Sequence, residues 1–91
     1  MSLIDSVFTA KQYSREVREL LEDKVGKTTE IEVTGEDPSI TSITVKVLRV
    51  TLTSAICATT DGGNPAIVSL GNPSEEDTKR PTIVVGRHSP T

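Results

Sequence analysis

Ninety-one residues carry thirteen acidic and ten basic side chains, a formal charge of −3, with a single cysteine and no apolar run near the ~18 to 20 residues that span a bilayer. No block is basic, because residues 1–27, 28–60 and 61–91 hold acids and bases as five to five, four to two and four to three. General phosphate-backbone binding and membrane association are therefore disfavoured, and the lone Cys57, which excludes an internal disulfide, points to a reducing, cytoplasmic setting.

Only 34% of the residues are hydrophobic, and Phe8 and Tyr13 are the only aromatics. A single domain of this length buries roughly 60 to 65% of its unfolded surface, and a core of Val, Ile, Leu and Ala buries less per residue than an aromatic one. The core is thin, which favours added burial through association. The N-terminus MSLIDSVF has no basic leader and its apolar pairs are interrupted by Asp5 and Ser6, so it is not expected to be a secretory signal.

Leu3, Val7, Ala10, Val17 and Leu21 fall on one helical stripe, flanked by Ile4, Tyr13 and Leu20. Ser2 with Asp5 resembles a capping box for one long helix, and Thr9 with Gln12 resembles one for a helix starting near Ala10. The favoured reading breaks the chain near Phe8 and places a firm helix over 10–24, closed by Gly26 in the left-handed cap position. The stripe needs a covering surface; Leu3, Val7, Tyr13, Val17 and Leu20 are the expected self-association face.

Residues 28–34 alternate as a strand with Thr29, Ile31 and Val33 on one side and Glu30 and Glu32 on the other. The turn Gly35-Glu36-Asp37-Pro38-Ser39 returns the chain, so that Glu30 and Glu32 can meet Lys46 across a hairpin. Residues 42–60, SITVKVLRVTLTSAICATT, then form an apolar and β-branched stretch of ~60 Å if straight, too long for a compact chain of this size. Its apolar positions are odd at Ile43, Val45 and Val47 and even at Leu48, Val50, Leu52, Ile56 and Ala58. A switch of inward side requires an inserted residue, so a bulge or bend is expected at Val47-Leu48. The alternative is a break near Ser54, where no customary turn residue stands.

Asp61-Gly62-Gly63-Asn64-Pro65 is the strongest turn signal and leads into the apolar run 66–70, a second hairpin. Residues 71–81, GNPSEEDTKRP, read as a mobile surface loop, 82–86 as a short buried strand and 87–91 as a flexible tail. The expected fold is α+β: an N-terminal helix packed on a small, strongly bent antiparallel sheet or open barrel of four to five strands.

No group of residues carries a catalytic, cofactor or metal motif. Cys57 lies between Ile56 and Ala58, where desolvation disfavours a thiolate, and His88 is in the tail. The DGGN segment lacks the helix and Lys of a phosphate loop. Glu75, Glu76 and Asp77 lack the alternating spacing of a calcium loop and are followed by Lys79 and Arg80. Lys79, Arg80, Arg87 and His88 form the only basic concentration, with Lys79, Arg80 and Arg87 the positions from which an anionic partner would be held, although no aromatic lies near them in sequence for base stacking.

A helix followed by a bent sheet resembles, in element order alone, the Sm-like small barrels, whose members form rings that bind RNA. Their glycine-aspartate signature is absent here, and residues 42–60 lack the turn those barrels place between their second and third strands. The expectation is a non-enzymatic interaction or assembly module that forms homo-oligomers or docks to a protein, such as a structural component of a larger viral or phage particle. A nucleic-acid-binding small barrel is the alternative.

Overall fold

The computed structural model describes residues 6–86. Its elements follow in the order β1 (Ser6–Ala10), α1 (Ser14–Asp23), β2 (Thr28–Gly35), β3 (Ser42–Val50), β4 (Ser54–Thr59), β5 (Pro65–Ser69), a 3-10 turn (Pro73–Glu75) and β6 (Thr82–Val85). Each strand runs antiparallel to the next and β6 returns to β1, closing a barrel. The α+β class and the antiparallel pairing are as the sequence predicts. Among the described residues the strands number six, not four to five, and the sheet is closed.

The additional strand comes from residues placed in or before the helix. Ser6–Ala10 is β1, because Phe8 and Ala10 alternate inward and the segment pairs with β2 on one edge and β6 on the other. Val7 and Ala10 satisfy a helical spacing and Phe8 and Ala10 a strand spacing; two-sided pairing decides between them. Among the described residues the helix is thus the second element, after β1, and there the likeness to Sm-like barrels in element order does not hold. It begins at Ser14, and no side chain caps it. The Ser14 and Arg15 N–H groups instead donate to the carbonyls of Lys79 (2.7 Å) and Glu76 (3.3 Å). Gly26 has the left-handed φ expected of it, 82°, but the helix already caps at Lys24, and the Gly26 N–H donates to the Val47 carbonyl (2.8 Å) instead of closing the helix.

The long stretch both bulges and breaks. Val47 pairs with Cys57 and Arg49 with Ile56, so Leu48 is the inserted residue and the inward side passes from Val45 and Val47 to Val50. Three residues later the chain turns, using hydroxyls where no Gly or Pro stands: Thr51 Oγ1 accepts from the Ser54 N–H (3.1 Å) and donates to the Ser54 carbonyl (3.0 Å). Beyond this turn the inward positions are Ala55 and Cys57, not Leu52, Ile56 and Ala58. Leu52 is 70% exposed. The resulting particle measures 39 × 28 × 23 Å. In the β2–β3 hairpin the register sets Lys46 opposite Thr28 and Glu30 opposite Thr44, so neither glutamate faces the lysine directly.

Inward side chains fill the barrel, as in other small barrels. Phe8, Ile31, Val33, Val45, Val47, Val68 and Ile83 form its bulk, with Val17 and Leu21 of α1 and Leu70 among the buried core residues. Phe8 pairs with Gly35, where a Cβ would stand 2.8 Å from Phe8 Cδ1. The ring occupies the space a β2 side chain would otherwise take. Gly35→Ala is expected to cost about 1–3 kcal/mol in urea unfolding. Combined with Phe8→Leu it should lose less than the sum of the two single losses, and simple additivity would count against the ring as the obstacle.

The ends of β1, β3 and β5 and the starts of β2, β4 and β6 lie together, and α1 sits at this end of the barrel. Arg18 is its tie: Nε meets Glu76 Oε1 (2.5 Å), Nη1 donates to the Thr51 carbonyl (2.9 Å) and Nη2 donates to the Leu52 carbonyl. One guanidinium therefore joins the helix, the β3–β4 turn and the β5–β6 loop. Arg15 adds an exposed pair with Asp77 at 2.8 Å, worth little by itself. The opposite end carries the start of β1, the end of β6 and the turns 36–41 and 60–64.

Candidate protein-interaction surface

A closed barrel has no free strand edge, so whatever the sheet recognises must meet its outer wall. That wall follows from the register. Val7 pairs with Val84, Val84 with Ile67, Ile67 with Ile56, and Ile56 with Arg49 beside the bulged Leu48. Side chains alternate along each strand, and the buried neighbours Phe8, Ile83, Val68 and Cys57 fix these four as outward. An unbroken apolar row thus crosses four strands and reaches Leu48 on a fifth. Val7 and Leu48, at its two ends, are 53% and 51% exposed, and Val84, Ile67 and Ile56 are half-buried by their neighbours.

The rows beside it are small or hydroxylic: Thr9, Thr82, Ser69 and Ser54 on one side, Pro65 and Ala58 on the other. No outward position of β1, β6, β5 or β4 carries a charge, in a chain with 25% charged residues. The charges of the barrel wall gather on the other two strands, with Glu30 and Glu32 on β2 and Lys46 and Arg49 on β3. Depletion of charge around an apolar centre is the compositional mark of an interface core, and contiguous exposed apolar surface marks binding.

The residues singled out from the sequence separate. Val7 lies on the charge-free wall, Tyr13 is 40% exposed at the start of α1, Leu20 is half-buried, and Val17 is fully buried in the core. Leu3 lies outside the described residues. The fold joins Val7 instead to Val84, Ile67, Ile56 and Leu48, which sequence reasoning missed. A signal was present: Ala66-Ile67-Val68 and Ile83-Val84-Val85 are apolar without alternation, and in an antiparallel strand that places apolar side chains on both faces.

Lys79 and Arg80 are exposed in the β5–β6 loop, while Arg87 and His88 lie outside the described residues. Arg80 Nε donates to the Lys11 carbonyl (3.1 Å) and its Cζ stands 5.0 Å from the centre of the Tyr13 ring. The fold thus supplies the aromatic that sequence distance did not. Glu76 of the same loop is buried against Arg18, apart from Glu75 and Asp77, which stay exposed. Among the described residues no three His, Cys, Asp or Glu side chains gather as a metal site, and no helix is long and apolar enough to cross a membrane.

Cys57 faces the core, and burial pushes its thiol up to about 11. The thiolate is the reactive form, so at pH 8 native Cys57 should react with a thiol reagent far more slowly than in the urea-unfolded chain. Equal rates would place it at the surface. Asp37 shows the opposite shift: its carboxylate accepts from the Ser39 hydroxyl (2.6 Å) and N–H (2.9 Å), which holds its pKa below the ordinary value. Comparison of the chain with family models, curated proteins and solved structures finds no match in any of the three.

Proposed function

We propose that this chain is a non-enzymatic assembly module that self-associates through the outer wall of β1, β6, β5 and β4. The observation that carries the reading is the in-register apolar row from Val7 to Ile56, ending at Leu48, on a wall without charge. Among the described residues the inward side chains pack the barrel interior, and the buried Cys57 is poorly placed as a nucleophile. A subunit of a larger particle would use such a wall in the same way.

The native mass, followed by sedimentation over about 1 µM to 500 µM, tests this. Association is expected at the upper end, and Ile67→Glu, which sets a charge at the centre of the row, should leave a folded monomer at every concentration. A wild-type chain that stays at 9.8 kDa throughout would end the proposal.

A second reading rests on Arg80 stacked at Tyr13 with Lys79 and Lys11 close in sequence to them. This corner could grip a nucleic-acid backbone, with Tyr13 as a stacking surface. Titration of short RNA and DNA at low salt decides it: phosphate contacts give a linear fall of log affinity with log salt, and absence of binding removes the reading.

A further inference from the structure

Three segments of the chain meet at the start of α1 and leave a depression of about 150 Å³ between them. Ser14 lines its floor, Ser69 and Thr82 stand beside it as paired residues of β5 and β6, and Glu75, Lys79 and Arg80 come from the loop between those strands. Ser14 is fully buried, and its Oγ is the one buried side-chain nitrogen or oxygen without a hydrogen-bond partner among the described residues. A buried hydroxyl left unmatched weakens a fold. The depression holds several times the ~30 Å³ share of one water, and it is the side from which a partner can reach that hydroxyl.

The cations beside it are unpaired. Among the described residues the ion pairs are Arg15 with Asp77 and Arg18 with Glu76, so Glu75, Lys79 and Arg80 belong to none. Arg80 is held by its Nε, which donates to the Lys11 carbonyl (3.1 Å), and by Tyr13, whose ring centre lies 5.0 Å from Cζ, and its two terminal nitrogens are left to meet a ligand. The Lys79 backbone is tied to Ser14, whose N–H donates to its carbonyl (2.7 Å). The Ser14 and Arg15 N–H groups are occupied by loop carbonyls, so α1, ten residues long, adds the positive end of its dipole and not these two donors. With two cations against one carboxylate, the lining is net positive.

We propose that this depression binds the hydrogen phosphate ion. The hydroxyls of Ser14, Ser69 and Thr82 and the side chains of Lys79 and Arg80 offer donors to a tetrahedral oxyanion, and the planar guanidinium fork can meet two of its oxygens at once. Glu75 selects among such ions. An ionised carboxylate only accepts, so at neutral pH it opposes sulfate, which carries no proton, and accepts from the remaining O–H of hydrogen phosphate. The site shares Arg80 with the nucleic-acid corner but does not rest on that reading. An internal phosphodiester has two of its oxygens bonded to carbon and no proton to give Glu75, so the free ion is the better match to this lining.

Titration of the full-length chain with sodium phosphate at pH 7, with chloride holding the ionic strength constant and amide NMR as the readout, tests this. The resonances of Ser14, Ser69, Lys79, Arg80 and Thr82 are expected to move together and saturate with a Kd on the order of 1 mM, and sulfate should bind about tenfold more weakly. Ser14→Ala removes a hydroxyl that has no partner in the protein, so the fold should persist while phosphate affinity falls about tenfold. Lys79→Gln, at an exposed side chain outside any ion pair, should weaken phosphate similarly without moving the urea midpoint. Glu75→Gln should bring sulfate close to phosphate. Phosphate shifts no larger than those from chloride, Ser14→Ala and Lys79→Gln that both bind as wild type, or a gap between phosphate and sulfate that is absent or survives Glu75→Gln would each overturn the site. Binding of short RNA without any response to phosphate would overturn it as well, and would leave the nucleic-acid reading standing.

Discussion

Arg18→Ala is expected to lower the free energy of unfolding by about 3–5 kcal/mol, because it strands a charge that folding has already desolvated. The Arg18 side chain is 14% exposed and that of Glu76 7%. A pair in water would contribute about 0–1 kcal/mol; here the guanidinium also serves the Thr51 and Leu52 carbonyls through its remaining nitrogens. Removing it leaves Glu76 unpaired in a site closed to solvent and takes the donors from two carbonyls of the β3–β4 turn. Arg18→Lys should recover only part of the loss, since one ammonium cannot reach three acceptors spread over a planar fork. Urea unfolding of Arg18→Ala, Glu76→Ala and the double variant measures the coupling directly. A loss below about 1 kcal/mol would mean that the pair behaves as an exposed one.

Leu21→Ala should cost about 2–5 kcal/mol, the range for emptying a well-packed aliphatic site. Leu21 is fully buried, and with Val17 it forms the inner face of the helix at the barrel end. Leu52→Ala is the control, since a leucine 70% exposed should change stability by less than about 0.5 kcal/mol. Domains of this size are held by roughly 0.05–0.15 kcal/mol per residue, so Arg18→Ala and Leu21→Ala together are expected to leave little folded protein at 25 °C. Equal losses for the two leucines would contradict the placement of the helix.

Much of the fold was legible where one periodicity had no competitor. The alternation of Ile31 and Val33 with Glu30 and Glu32 and the Gly62-Gly63 turn each admit one physical solution, and each appears; the odd-to-even shift at Val47-Leu48 admits a bulge or a later break, and the chain uses both. Ser6–Ala10 was ambiguous because its residues satisfy both periods, and only pairing with β2 and β6 chooses. The turn at residues 51–53 was hidden because it is built from hydroxyl hydrogen bonds rather than from residues with special backbone freedom.

The candidate surface was harder to read. Val7 was assigned to an interaction face for its place on a helical stripe, yet it is exposed as part of a strand. Its true neighbours, Val84, Ile67 and Ile56, come from three separate strands, and the sequence offers no register between them. Tyr13 and Arg80 are likewise joined only by the docking of the β5–β6 loop on the start of α1.

The pairing of Ser6 with Val85 has a consequence for synthesis. β1 is the neighbour of β6, so a chain emerging from the ribosome holds β1 with one edge unmatched until β6 is complete. Closing so long a loop is entropically costly and slow compared with the local hairpins. A chain cut short before Thr82 would leave two edges bare, those of β1 and β5, and would present to its neighbours the strand-pairing surface that closure removes.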